Sequence, residues 1–190
     1  MTDVFLTGIT GFIGSHVAQA LVQSGYRVRA IVRPHSAATH FFRHKDIVLA
    51  QADILEPNSL REAMSGCYAV VHVAAMYAFW NRPRESIYNT NVRGTYNVLE
   101  AARKEGIQRI VHTSSVGTLG FHDRTILSED ATLATESEMV GDYKRSKFEA
   151  ERLVLRMASA GAPIVVVNPS TPIGPGDEKP TPTGKIILDF

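Results

Sequence analysis

Close to its start the chain runs Val4-Phe5-Leu6-Thr7, then Gly8, Gly11 and Gly14 at three-residue spacing, then a helical pattern. An apolar run, a glycine turn and a helix in that order specify a strand that feeds a phosphate-cradling loop. Glycine permits positive φ and close backbone approach, so a pyrophosphate can rest on unpaired N–H groups at the helix N-terminus, where the helix dipole favours negative charge. The pattern implies a site for a nicotinamide dinucleotide, although a glycine triplet alone is weakly specific.

The rest of the chain repeats the alternation of apolar runs with helical patterns, which is how parallel strands joined by crossover helices are written. Strands are expected near Val4–Leu6, Val28–Val32, Ile47–Leu49, Ala69–His72, Arg109–His112 and Ile164–Val167. Helices are expected over about Ile13–Ser24, Pro57–Ser65, Glu85–Lys104 and Asp142–Ala160, stopped by Gly25, Gly66, Gly106 and Gly161. Right-handed crossovers then give an α/β, doubly wound parallel sheet, a Rossmann fold of strand order 3-2-1-4-5-6. Its ligand crevice opens at the carboxyl ends of strands one and four. The Pro- and Gly-rich stretch from Asn168 to Asp177 reads as a loop, extended by Pro180 and Pro182. The last residues, Ile186–Phe190, read as an apolar segment with nothing after it to pack against. We expect a single nucleotide-binding domain over residues 1–190 and a C-terminal truncation.

Composition narrows the function classes. A formal charge of +1 offers no electrostatic pull toward nucleic acid or acidic membrane. No apolar run reaches the ~18 residues of a membrane span, and the N-terminus lacks the pattern of a signal peptide. A single cysteine, Cys67, rules out an internal disulfide and fits a reducing cytoplasm. The histidines His16, His35, His40, His44, His72, His112 and His122 show no metal-ligand spacing, so no metal is expected. His72 and His112 fall in strand-like runs, where a buried imidazole or a strand-end contact is the simplest reading.

Tyr143 and Lys147 stand four apart on a predicted helix, so they share a face and can converge on one atom. A free tyrosine titrates near ~10, and a neighbouring ammonium together with a cationic nicotinamide would favour the phenolate. Ser115, or alternatively Ser114, stands at a strand end, from which it can fix a substrate hydroxyl or carbonyl. Tyr143, Lys147 and Ser115 are thus the catalytic expectation. Taken alone, the Tyr–Lys pair would equally describe a surface helix with an inward tyrosine and a solvated lysine.

Cofactor choice is argued from charge. An NAD-preferring fold usually carries an acid about twenty residues after the glycine loop. Here no Asp or Glu occurs from Arg27 to Lys45, while Arg33 can pair bidentately with a 2′-phosphate. NADP is favoured over NAD on that reading; a merely solubilising strand-end arginine is the alternative.

Thr7-Gly-Ile-Thr-Gly-Phe-Ile-Gly14, Thr113-Ser-Ser115 and Tyr143-Lys-Arg-Ser-Lys147 together resemble the extended short-chain dehydrogenase/reductases, the NAD-dependent epimerase/dehydratase family. His72-Val-Ala-Ala75, Asn91-Val-Arg-Gly-Thr95 and Val167–Pro175 are most similar to its dihydroflavonol-reductase-like branch. Tyr143–Phe148, Asn168–Pro175 and Lys179–Gly184 resemble, more narrowly, the hopanoid-associated sugar epimerases. The resemblance implies that Thr7, Gly8, Gly11, Phe12, Ile13 and Gly14 hold the cofactor. It also implies that Ser115, spaced to Gly120, is the catalytic serine, and that Lys147 and Tyr143 reach the nicotinamide ribose. Asp53 and Ile54 should meet the adenine, Ala74 and Ala75 should line the cofactor, and Asn168, Pro169 and Ser170 should lie beside the nicotinamide. Asn91 is where the family places an asparagine that organises the lysine and a water. Without the family argument, Asp53 reads equally well as a turn residue before Pro57. The expected function is oxidoreduction or epimerisation at a hydroxyl or keto group of a small molecule such as a nucleotide sugar, and the resemblance implies a homodimer. A non-catalytic dinucleotide sensor or scaffold is the competing class.

Overall fold

Strand β1 (Asp3–Thr7) is buried along its whole length, which is why its middle, Val4–Leu6, is written as a continuous apolar run and not as an alternating one. It is the centre of a parallel sheet in the computed structural model, which describes residues 1–34, 44–77, 83–119, 134–177 and 180–189. Beside it on one side lie β2 (Arg27–Val32) and β3 (Ile47–Gln51); on the other lie β4 (Ala69–His72), β5 (Arg109–Thr113) and β6 (Ile164–Val167). The order β3-β2-β1-β4-β5-β6 is the one expected from the sequence. Register places Thr7 beside His72 and His72 beside His112, so the carboxyl ends of the three central strands form one rim.

Helices cover both faces. α1 (Phe12–Gln23) packs Ala18, Val17 and Leu21 over Leu6, Val28 and Ala30 on one face. On the other, α2 (Pro57–Met64), α4 (Gly94–Lys104) and α5 (Gly141–Ser159) bury Leu60, Met64, Val98, Leu99 and Val154 against Phe5, Val70 and Ile110. The helix-stopping glycines 25, 66, 106 and 161 all adopt positive φ, as expected.

Two expectations are corrected. The helix expected over Glu85–Lys104 runs unbroken but is not regular throughout: α3 (Arg84–Tyr88) passes through a π turn (Asn89–Arg93) into α4. Thr95 Oγ1, one residue into α4, donates to the Asn91 carbonyl of that turn at 2.6 Å. The C-terminal stretch expected as loop and unpacked tail contains α6 (Pro182–Leu188), capped by Thr181 Oγ1, which accepts from Gly184 N–H. Asp177 in turn accepts from Thr181 N–H and Oγ1, and that turn starts the helix despite the surrounding prolines. Ile186, Ile187 and Leu188 are exposed on it. Of the residues named from the sequence, His35, His40, Gly120, His122, Lys179 and Phe190 lie outside the described residues.

Candidate functional site

A cleft of about 610 Å³ follows the carboxyl ends of the strands. At its centre is the glycine turn, and its shape depends on missing side chains. A Cβ on Gly14 would overlap the Gly8 carbonyl oxygen, and one on Gly8 would lie 2.7 Å from Ala74 N. Gly8 also has φ +82°, so the turn between β1 and α1 can press against β4 only with glycine there. This leaves the first turn of α1 open toward the cleft, with Gly11 N–H donating back to Gly8 O.

Gly8, Gly11, Phe12, Ile13, Gly14, Arg33, Asp53, Ile54, Ala74, Ala75, Ser115, Tyr143, Lys147, Pro169 and Ser170 all line this cleft. Two expected contacts are placed elsewhere. Thr7 is fully buried behind the wall, and its Oγ1 accepts from Val73 N–H and Ala74 N–H, each at 3.1 Å. Asn91 is buried too; its side chain accepts from Met76 N–H and donates to Met76 O and Ser146 Oγ. Both shape the wall and neither faces the cavity. Asp53 does both jobs that its sequence suggested, since it lines the cleft and its Oδ1 accepts from Leu55 N–H in a turn. Arg33 is exposed at the end of β2, with no ion-pair partner among the described residues.

At the far end of the cleft, α5 presents Tyr143 and Lys147 beside Ser115. Ser115 caps the short helical turn Val116–Thr118, its Oγ accepting from Gly117 N–H at 3.1 Å. Its carbonyl accepts from Asn168 Nδ2 at 3.1 Å, and Asn168 also donates to Glu151 Oε2 at 2.8 Å. Asn168 and Glu151 therefore fix the serine loop to β6 and α5, which no spacing in the sequence signalled. Lys147 is almost wholly buried and donates from Nζ to the Thr113 carbonyl at 2.8 Å. Burial lowers its pKa to about 8, against a smaller opposing pull from the Glu151 carboxylate.

Tyr143 is shifted in the opposite direction to Lys147. Burial, joined by the neighbouring Tyr77 phenol, pushes it up to about 12, and the hydrogen bond with Ser115 opposes this only in part. The side chains around Tyr143 by themselves bring no drop toward the phenolate, because desolvation of the anion outweighs the stabilising contacts that surround it; the expected drop also invoked the charge of a bound cationic nicotinamide. Tyr77, which lines the cleft and was not anticipated, has its ring centroid 4.6 Å from that of Tyr143.

The imidazoles expected to be buried are buried. His72 is held by Thr7 and Thr95, and burial lowers its pKa to about 3. His112 lies 5.4 Å from it, ring to ring, held well below its ordinary pKa by burial, with neither nitrogen hydrogen-bonded among the described residues. Among the described residues no three His, Cys, Asp or Glu gather as metal ligands, and no helix is long and apolar enough to cross a membrane.

Comparison with known proteins accords with this geometry. The NAD dependent epimerase/dehydratase family model matches residues 4–189. A Synechocystis sp. protein, provisionally named dihydroflavonol 4-reductase, is 44% identical over 98% of this chain and 54% of its own length. Sterol demethylase protein B of Methylococcus capsulatus is 33% identical over 97% of this chain and 56% of its own length. The chain thus spans about half the length of these curated relatives. Among solved structures, gox2253 superposes with a TM-score of 0.91 at 40% identity, covering 100% of this chain and 57% of that one. MoeE5, in complex with UDP-glucose and NAD, gives 0.67 at 30% identity, covering 86% and 52%. With its sheet order, its glycine cradle and a family match running almost from end to end, the chain belongs to the NAD-dependent epimerase/dehydratase family.

Proposed function

We propose that this chain forms the cofactor-binding and proton-transferring part of an NADP-dependent oxidoreductase or epimerase acting on a hydroxyl or keto carbon of a small molecule. The observation that carries the reading is a single cleft with a side-chain-free glycine cradle in its middle, Arg33 at one end, and Ser115, Tyr143 and Lys147 at the other. The glycine turn and the start of α1 would hold the pyrophosphate. Asp53 and Ile54 would border the adenine, and Ala74, Ala75, Pro169 and Ser170 would enclose the nicotinamide half. When bound, the nicotinamide would supply hydride chemistry, giving a hydride to a carbonyl carbon in its reduced form or taking one from a carbinol carbon in its oxidised form.

The protein's own groups manage the proton. With its pKa raised to about 12, Tyr143 is a protonated phenol at neutral pH and donates to a developing alkoxide in the reductive direction. Ser115, hydrogen-bonded to it, orients the same oxygen. Lys147, buried and titrating at about 8, places positive charge beside the site and would hold a ribose hydroxyl of the bound cofactor. Arg33 supports NADP over NAD through bidentate pairing with a 2′-phosphate. Exposed Tyr96 on α4 and Leu155 on α5 support a homodimer through those helices, and the lone, buried Cys67 fits work in a reducing cytoplasm.

The test is calorimetric titration of the intact protein with NADP and NAD, before and after Arg33→Ala, together with turnover assays of Tyr143→Phe. We expect NADP affinity to fall about tenfold or more on loss of the charged pairing, with NAD little changed. Tyr143→Phe should keep the cofactor and lose ~100-fold or more in rate. Unchanged biological activity of Tyr143→Phe, with the cofactor still bound, would instead establish a dinucleotide sensor. Stoichiometric change in nicotinamide absorbance would mark a reductase; turnover without net change would mark an epimerase.

A further inference from the structure

Behind the cleft wall a run of buried polar side chains links the nucleotide edge of the sheet to the helix that carries Tyr143. Thr7, His72, Asn91, Thr95 and Ser146 are each at most 2% exposed. Their hydrogen-bond directions can be worked out from one end. Thr7 Oγ1 accepts two backbone N–H bonds, from Val73 and Ala74, so its own hydrogen is free to donate. The partner is His72 Nδ1, at 2.7 Å, which must therefore be the bare nitrogen. The proton of the neutral ring then sits on Nε2 and points to Thr95 Oγ1, 3.0 Å away. Thr95 passes its own hydrogen to the Asn91 carbonyl at 2.6 Å, inside the π turn. From the same residue, Asn91 Nδ2 donates to Ser146 Oγ at 2.9 Å, and Ser146 Oγ donates to the Tyr143 carbonyl at 2.8 Å. Asn91 Oδ1 accepts from Met76 N–H at 2.7 Å, so the wall that carries Ala74–Tyr77 is tied in twice.

We propose that His72, with its proton on Nε2, is a positioning residue: through Thr95 and the π turn it holds the β1–β4 edge of the cofactor cleft in register with the Tyr143–Lys147 face of α5. The proposal deepens the function given above and rests on it for what is being positioned. A fully satisfied buried network of this kind specifies one arrangement, because any slip strands a donor or acceptor away from water. The Thr95 hydroxyl, one residue into α4, ties the first turn of that helix to the Asn91 carbonyl of the π turn. The arrangement ties together two walls that come from opposite ends of the chain, with no direct contact between His72 and the cavity required.

The test uses the intact protein and reads position, not turnover. Nitrogen-15 resonances of His72 in the wild type should show Nε2 protonated and Nδ1 bare; the opposite tautomer overturns the proposal. Thr95→Val, which removes the middle link, should speed amide exchange about tenfold or more at both Val73–Met76 and the first turns of α5. Exchange in β6 and α1 should stay unchanged, and Thr95→Ser should restore the wild-type pattern. Acceleration spread evenly over the chain, or confined to residues 91–95, overturns it. His72→Gln, which keeps a donor near the Nε2 position, should preserve protection at α5 better than His72→Asn, which keeps only the acceptor for Thr7; equal loss from both overturns it. Calorimetry of wild type with NADP is the separate readout for the cofactor site. Failure there overturns the proposed function, while the ladder stands or falls on tautomer and exchange.

Discussion

The rings of Tyr77, just after β4, and Tyr143, on α5, lie with centroids 4.6 Å apart and planes inclined at 49°. Two phenols this close cannot readily both ionise, and each is pushed upward, mainly by burial. Burial first, and the pairing second, keep the catalytic candidate a proton donor at rest, and Tyr77 places a second aromatic surface beside the reacting end of the cleft.

Removing the Tyr77 hydroxyl by Tyr77→Phe should therefore lower the Tyr143 pKa from about 12, while burial keeps it above its ordinary value. Ultraviolet titration of the phenolates, with Tyr143→Phe as the reference, measures this. No movement would mean that burial alone sets the Tyr143 titration.

Lys147 should cost stability where the protein works. Its folded pKa of about 8 lies below the ordinary 10.5, so below the lower value both states are charged and the burial penalty is fully present. As pH rises from about 8 toward 10.5 the unfolded chain holds the proton longer, and the folded state gains. Lys147→Met should accordingly be more stable at neutral pH by about 1–3 kcal/mol, after the lost hydrogen bond to Thr113 is set against the relieved charge. Urea unfolding should show that advantage shrinking as pH rises. A pH-independent difference would contradict the assignment.

On the acid side His72 sets the trend. Unfolded it titrates near 6.5 and folded at about 3, so between these values only the unfolded chain takes up the proton. Stability should fall as pH falls through that window, by up to ~1.4 kcal/mol per pH unit for one such group, with His112 adding in the same direction. Denaturant unfolding at stepped pH reads the slope, and a flat profile would show that neither imidazole is buried neutral.

Gly14→Ala should remove the cradle. The new methyl would occupy the place of the Gly8 carbonyl, a backbone atom that cannot swing aside. We expect a loss of at least ~2 kcal/mol from overpacking and loss of measurable dinucleotide binding, read by thermal melting and calorimetry. Gly66→Ala is the control: a Cβ there meets nothing within 4 Å, and with φ +76° its cost is backbone strain far from the cleft.

Much of the site was legible because its parts are local. Gly8, Gly11 and Gly14 are one turn, Tyr143 and Lys147 are one helix face, and Ser115 follows directly on β5, so near-neighbour spacing carries each of them. Thr7 and Asn91 stand behind the cleft wall and do not line it, for the opposite reason. They stand at the right places in the chain, but His72, Val73, Ala74 and Met76 draw their polar atoms away from the cavity. Helix α6 was hidden by the density of Pro and Gly around it, although Asp177, Thr181 and Gly184 held a capping signal. Glu151 and Tyr77 carried no signal in the sequence, and Asn168 was marked by the family resemblance alone, which did not show its bonds to Ser115 and Glu151.

The sequence by itself determined the alternation of strands and helices, the order of the sheet and the edge at which a dinucleotide would lie. Those follow from hydrophobic period, from glycine stops and from the fixed hand of parallel crossovers. Tertiary structure alone decided the π turn, the direction of every proton between Thr7 and Tyr143, and the titration of Tyr143 and Lys147. Each of these depends on desolvation and on partners distant in the chain, whose proximity no local pattern encodes.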